Sequence, residues 1–272
     1  MALSKITNLS ITDDAVRTVG IQDAAVTTAK TSGVPTLFLP TANPLIINGD
    51  MAVAQRGTSV TGASSSGYKA IDRYRHTISI GTWTITQSTD SPSDEGFGYS
   101  MKMDCTTAEA SPGSTDALAF SQKIEGQNLQ LIKKGTSNAE KLTLAFWVKC
   151  TKTGTACVNL YDVDNNRMTG QQFTVDATDT WEKKILTFAA DTTGALGNDN
   201  GDSLRCEIWL DAGSAYKTGA TPTSWETLNT ADYFAGCDLD LGDSTSNDIY
   251  ITGLQLESGE YTSSTIPPFR HE

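Results

Sequence analysis

Between Lys141 and Asp162 apolar and polar positions alternate along two neighbouring runs. Leu142, Leu144, Phe146, Val148 and Cys150 are interleaved with Lys141, Thr143, Ala145, Trp147 and Lys149. A period of two is that of a strand with one buried face. Lys152, Thr153, Gly154 and Thr155 supply a turn, since glycine tolerates the positive φ of tight loops. Val158 and Leu160 bury the second run. The pattern therefore predicts a hairpin that sets Val148 opposite Leu160 and Cys150 opposite Val158. The same register sets Trp147 beside Tyr161 on the polar face. Two aromatics where water is expected make that face the first candidate for chemistry; cover by another layer or a neighbouring subunit is the structural alternative.

The pattern continues on both sides. Thr82–Gln87 alternates with Trp83 and Ile85 inward, and Tyr99–Cys105 and Ala117–Ile124 follow. Gln172–Val175 is short, and Trp181–Phe188 precedes Leu204, Cys206, Ile208 and Leu210, which alternate with Arg205, Glu207, Trp209 and Asp211. Upstream, Leu45–Gly57 predicts two short strands about a turn at Asn48-Gly49. Asp72 and Arg73 are expected to pair internally. A helical period shows only over Gln127–Lys134. In the last strand, Ile249–Glu257, alternation slips phase between Ile251 and Leu254, and one extra residue at Gly253 predicts a β-bulge. About ten strands separated by Gly, Ser and Asp loops predict an all-β fold, a sandwich or jelly roll.

Composition agrees with strands and loops. Of 272 residues, 38% are hydrophobic, and the net charge is −12. That balance disfavours nucleic acid as a partner, because phosphate binding needs clustered Lys and Arg. No apolar run approaches a membrane span, so no membrane insertion is expected, and no secretory leader is legible. The five cysteines are odd in number and lack C-x-x-C spacing. They predict free thiols of a reducing cytosol, with Cys150 facing the core and Cys157 facing away.

Residues 1–33 differ in kind. Ile11-Thr12-Asp13-Asp14-Ala15-Val16-Arg17-Thr18 and Ile21-Gln22-Asp23-Ala24-Ala25-Val26-Thr27-Thr28 repeat one pattern at a period of ten. So short a unit cannot make a core alone, so Ile11, Val16, Ile21 and Val26 are expected to bury their stripe against copies of the chain or another partner. A Pro-containing linker at 34–44 follows, and the β domain is expected over 45–272.

The ten-residue repeats resemble the N-terminal segments of bacteriophage tail fibres and virion appendages. Leu45–Gly57, Tyr68–Tyr74 and the terminal Gln255-Leu256-Glu257 with Pro268-Phe269-Arg270 resemble jelly-roll domains of phage virion proteins. With Trp181-Glu182-Lys183, they also resemble carbohydrate-binding-module jelly rolls. The resemblance implies a jelly-roll domain behind an N-terminal docking or trimeric stem segment, in a virion made in the host cytoplasm. It implies a homotrimer that meets other virion proteins through its N-terminus and host surface polysaccharide through the jelly roll. A capsid decoration, head-fibre or adaptor protein with a purely assembly role is the alternative.

The candidate carbohydrate-binding residues are Trp147, Tyr161 and Trp209, whose flat rings suit sugar faces, with Lys149, Asn159, Arg205 and Glu207 as hydrogen-bonding neighbours. Asp162, Asp164 and Asn166 resemble the opening of a calcium loop, although Arg167 stands where that loop needs Gly and Phe173 where it needs Glu. A structural calcium is the one cofactor the jelly-roll resemblance brings. No catalysis is expected. The two histidines, His76 and His271, sit in a strand-like run and in the terminal tail, and no nucleophile-elbow motif occurs.

Overall fold

The computed structural model describes residues 44–271; the ten-residue repeats, with Ile11, Val16, Ile21 and Val26, lie outside the described residues. Among the described residues there are strands and short 3-10 turns but no α-helix. The strands are β1 (Ser59–Ala63), β2 (Gly67–Tyr68), β3 (Tyr74–Ile78), β4 (Thr82–Ser88), β5 (Ser100–Thr107), β6 (Ala117–Glu125) and β7 (Leu142–Cys150). They continue with β8 (Gly154–Asp162), β9 (Arg167–Val175), β10 (Glu182–Phe188), β11 (Asp202–Ala212), β12 (Glu226–Thr227) and β13 (Asp248–Ser258). They form two sheets in the orders β1-β4-β5-β13-β7-β10 and β12-β9-β8-β11-β6-β3-β2, hereafter the first and second sheets. Every pairing is antiparallel. The fold is an all-β jelly-roll sandwich, as the alternation predicts.

The hairpin is a different matter. β7 pairs with β13 and β10, while β8 pairs with β11 and β9. The connection after Cys150 crosses from one sheet to the other instead of turning back on itself. Its polar groups are taken by distant chain. Thr151 N donates to Asp248 O, Lys152 Nζ to Asp240 O and Asp243 Oδ2, and Thr155 N to Asp238 Oδ1. At Gly154 (φ +152°) a Cβ would meet the Leu239 Cα at 2.8 Å, so only glycine fits this crossing. The inward assignments nevertheless hold. Phe146, Val148, Cys150, Val158 and Leu160 are all fully buried, facing one core from opposite sheets. Phe146 meets Phe173 of β9 edge-on at 5.1 Å.

Other expectations divide in the same way. Trp83 is fully buried, and β13 carries its bulge at Gly253, where φ is +66° and the register shifts between Thr252 and Gln255. Leu45–Gly57 makes no strand. Ile47 instead exchanges two hydrogen bonds with the buried Gln122 side chain (2.7 and 2.8 Å), which replaces a strand partner. Asp72 and Arg73 do not pair with each other. Asp72 bonds Arg56 at 2.6 Å and Arg73 reaches Glu125 at 3.3 Å, because Arg73 takes a left-handed φ of +75° that turns the chain between them. Gln127–Lys134 is two 3-10 turns, Gly126–Asn128 and Gln130–Ile132. Thr143, outward on β7, is buried rather than wet. The C-terminal tail folds over it, Thr143 Oγ1 donating to Gly259 O and accepting from Tyr261 N.

His76 lies on the inner face of β3 against Phe120, with ring centroids 6.2 Å apart. Neither ring nitrogen has a well-formed hydrogen bond, although the Gly67 backbone approaches the ring. Burial, then the charge of Lys69, lowers its pKa to about 3. The unfolded chain therefore takes up a proton near pH 6.5 that the folded one refuses, and stability falls as pH drops from 6.5 towards 3. His76→Leu is expected to add about 1–3 kcal/mol by removing an unpartnered buried polar group, and to flatten that acid-side decline. Urea midpoints at pH 7 and pH 4.5 check both, and unchanged midpoints would refute the account.

Candidate functional site

The seven candidate carbohydrate-binding residues fall on two surfaces. Trp147 and Lys149 stand on the outer face of the first sheet, whereas Tyr161, Asn159, Arg205, Glu207 and Trp209 stand on the outer face of the second. The sandwich core separates them, so Trp147 is no neighbour of Tyr161. Lys149 is held by Asp90 and by the Tyr250 ring, with its Nζ 4.4 Å from the centroid. Trp147 lines a groove of about 320 Å³ with Phe97, Ile266, Phe269 and His271, much of it closed by the C-terminal tail.

On the second sheet the pairings place Cys157, Asn159 and Tyr161 of β8 opposite Trp209, Glu207 and Arg205 of β11. Residues 213–243 cover one end of this face. Trp209 stacks on Tyr233 (4.6 Å, 20°) and leans on Tyr216 (5.2 Å), leaving 7% of it exposed. Asn159 Nδ2 donates to Tyr233 O and is fully buried. Trp209 and Asn159 thus serve packing, which corrects the expectation that they meet ligand. A strand-by-strand pattern cannot show that Tyr233, 74 positions after Asn159 and 24 after Trp209, lies over them both.

The remainder of the face is polar and partly exposed. Arg205 lies over the Tyr161 ring at 5.5 Å and is fixed by Asp202, which also bonds Lys123 at 2.8 Å. Tyr161 Oη donates to Asn166 Oδ1 at 3.3 Å. Glu207 accepts from Trp209 Nε1 at 3.2 Å; burial raises its pKa, with Arg205 and Arg75 opposing. Burial also pushes the Tyr233 phenol up, and the Glu207 and Tyr161 charges add to it. Next to Lys123 a cleft of about 560 Å³ opens, walled by Tyr68, Arg56, Asp72, Arg73, Glu125 and Asp202. Tyr68 is 45% exposed, and Arg56 stands over its ring at 5.6 Å.

The face therefore runs from Tyr68 on β2, past Arg75 on β3 and Lys123 on β6, to Arg205 on β11 and Tyr161 on β8. Four strand spacings make that span about 19 Å, the scale of a short oligosaccharide. On β6 the outward Ala119 and Ser121 are small and are buried by their neighbours. The three carboxylates in the cleft wall are each held by a cation, Asp72 by Arg56, Glu125 by Arg73, and Asp202 by Lys123 and Arg205. Such pairs offer donors and acceptors side by side, the pattern that sugar hydroxyls match. Tyr68, Arg56 and Lys123 are missing from the sequence-derived set. The alternation around Lys123 was the available signal, but β2 is two residues long and carries no period.

The calcium-loop expectation fails on partners. Asp162 binds Lys134 at 2.5 Å and Asn165, Asp164 accepts from Gly197 N, and Asn166 accepts from Tyr161. The three side chains diverge. Lys134 already pairs with the buried Asp162, and no cluster of three or more His, Cys, Asp or Glu suited to a metal occurs among the described residues. The histidines are also apart from any nucleophile among their hydrogen bonds. His76 faces the core and His271 Nδ1 bonds Asp50 Oδ2 at 3.0 Å. All five cysteines are free and buried.

No family model and no curated protein matches the sequence. Solved structures share its general architecture at low identity. The enzymatically active domain of bacteriophage CBA120 tailspike protein 4 is 14% identical with a TM-score of 0.39, covering 79% of this chain and 21% of that one. The N-terminal cellulose-binding domain of Cellulomonas fimi β-1,4-glucanase C is 10% identical with a TM-score of 0.36, covering 81% of this chain and 100% of that one. TmCBM61 in complex with β-1,4-galactotriose is 8% identical with a TM-score of 0.34, covering 79% and 99%. The chain thus spans about a fifth of the tailspike structure. At these scores the overlap is partial, and the two-sheet architecture rests on this chain's own strand pairings.

Proposed function

We propose that the β domain is a non-catalytic glycan-binding module that uses the outer face of the second sheet. The observation that carries this reading is the polar run from the exposed Tyr68 to the half-buried Tyr161, with paired cations and carboxylates between the two rings and a cleft beside Tyr68. Aromatic faces stack on the apolar faces of sugars, and fixed charged pairs read the hydroxyls. Because few such contacts exist per domain, single-site affinity is weak, and avidity between copies supplies the rest. That need for copies fits the second part of the proposal. The chain is a trimeric virion appendage of the tail-fibre type, docked through residues 1–33 to other virion proteins and presenting its jelly roll to host surface polysaccharide. Support for the virion setting and the trimer comes from the ten-residue repeat and its resemblance to phage appendages.

One experiment separates the parts. The full-length chain is expected to scatter light as a trimer and to give signal on a glycan array. Tyr161→Ala and Tyr68→Ala should each cut array signal at least tenfold while leaving the trimer and the melting temperature intact. Trp209→Ala should instead lower the melting temperature. A trimer with no glycan signal would overturn adhesion and favour the assembly-only reading, and a full-length monomer would overturn the trimer.

A further inference from the structure

Nearly every cation of the described residues is matched to a carboxylate. Of their lysines and arginines, only Lys69, Arg75 and Lys183 lack one within ion-pair distance. Lys183 lies 6.0 Å over the Trp147 ring on the other sheet, and Lys69 sits beside the short β2 strand. Arg75 is different. It is half-buried in the middle of the proposed glycan face, and its one hydrogen bond runs from Nη1 to Thr77 Oγ1 at a long 3.3 Å.

The strand register says what surrounds it. One row across the second sheet reads Tyr68, Arg75, Ser121, Glu207 and Asn159. Tyr68 is the cross-strand neighbour of Arg75, near enough for a single sugar ring on the phenol to reach the guanidinium. On the other side the neighbour is Ser121, which is small and buried. Glu207 is two strands away, about 10 Å. It is turned towards Trp209 Nε1 rather than Arg75. Arg75 thus has a planar fork of donors with no carboxylate within ion-pair distance, and the exposed Tyr68 ring as a platform beside it. The surrounding face carries five cations (Arg56, Arg73, Arg75, Lys123, Arg205) against four carboxylates (Asp72, Glu125, Asp202, Glu207), on a chain whose net charge is −12.

We infer that the face selects acidic sugars, with Tyr68 stacking on a uronic or ulosonic acid ring and Arg75 receiving its carboxylate. The inference rests on the glycan-binding reading and deepens it. Arginine binds carboxylate through two parallel hydrogen bonds, which fix the orientation of the ring as well as its charge. The carboxylate ligand is singly charged, which suits a site whose surplus is a single cation with Glu207 in the same row.

The test is an array on which acidic oligosaccharides are printed beside their carboxyl methyl esters, together with neutral, sulfated and phosphorylated glycans. The full-length protein is expected to bind free acids at least tenfold more strongly than the matched esters. Arg75→Gln should erase that difference while leaving the melting temperature unchanged, and Arg75→Lys should restore only part of it. Equal binding to acids and esters, or signal confined to neutral, sulfated or phosphorylated glycans, overturns acid selection but leaves glycan binding standing. A preference that persists in Arg75→Gln overturns the assignment to Arg75. No signal on any glycan overturns both.

Discussion

Lys134→Ala is expected to cost about 3–5 kcal/mol, the penalty for leaving buried charges unpaired. The Lys134 side chain is 3% exposed, and its Nζ reaches Asp162 at 2.5 Å and Asp191 at 2.9 Å. Two carbonyls, of Thr193 and Gly194, accept from it at 3.0 Å, and the Trp225 ring lies 4.8 Å below it. Arg167 holds the other side of Asp191. Burial works against the Asp191 carboxylate, but the bonds from Arg167 and Lys134 prevail and set its pKa below the usual value. Its contribution is therefore present above the unfolded carboxylate pKa and is lost as pH falls through the folded one. Without Lys134, Asp162 keeps only Asn165 as a hydrogen-bonding side chain, inside the protein. The neighbouring residue supplies the control. Lys133 pairs with Glu140 at 2.7 Å on the surface, both half-exposed, so Lys133→Ala should cost no more than about 1 kcal/mol. Chemical denaturation of the two variants at pH 7 measures the contrast, and similar midpoints would mean that the buried network contributes little.

Phe146→Ala should cost a similar amount, about 3–5 kcal/mol, through a different mechanism. The ring is fully buried and bridges the two sheets by its contact with Phe173. Truncation leaves a cavity between two β-sheets whose hydrogen-bonded backbones cannot collapse into it. Phe146→Leu should recover more than half of the loss, because it restores most of the volume. A loss below 1 kcal/mol for Phe146→Ala would show that the sheets do relax around the gap. Thr143 cannot serve as the mild surface control its outward position suggests, since its hydroxyl is bonded to the tail at Gly259 and Tyr261.

These two sites also show where sequence reasoning was sufficient and where it was not. Phe146 was legible as core because its neighbours at Leu144 and Val148 repeat the period. Lys134 was not, because a buried lysine looks like any solvated one until Asp162 and Asp191, 28 and 57 positions away, close around it. The same holds for the candidate face. Tyr161, Arg205 and Glu207 were legible as outward residues, and they do share a sheet. Trp147 was outward too, but on the other sheet, and nothing in its local pattern says so.

The chain by itself determined that the long alternating segments are strands, which side of them meets the core, and where β13 must bulge. Those properties follow from the two-residue period of the extended backbone and from the freedom of Gly253 to adopt positive φ, both local. Only the tertiary structure decided that β7 and β8 lie in different sheets. A hairpin and a crossing between sheets bury the same alternate residues, so the pattern is identical in both. What separates them is long-range: Thr151 and Lys152 find partners at Asp248, Asp240 and Asp243, and Gly154 lets Leu239 come close. The same kind of remote packing laid Tyr216 and Tyr233 over Trp209, and left Tyr68 exposed and Arg75 and Tyr161 partly exposed on the rest of the face.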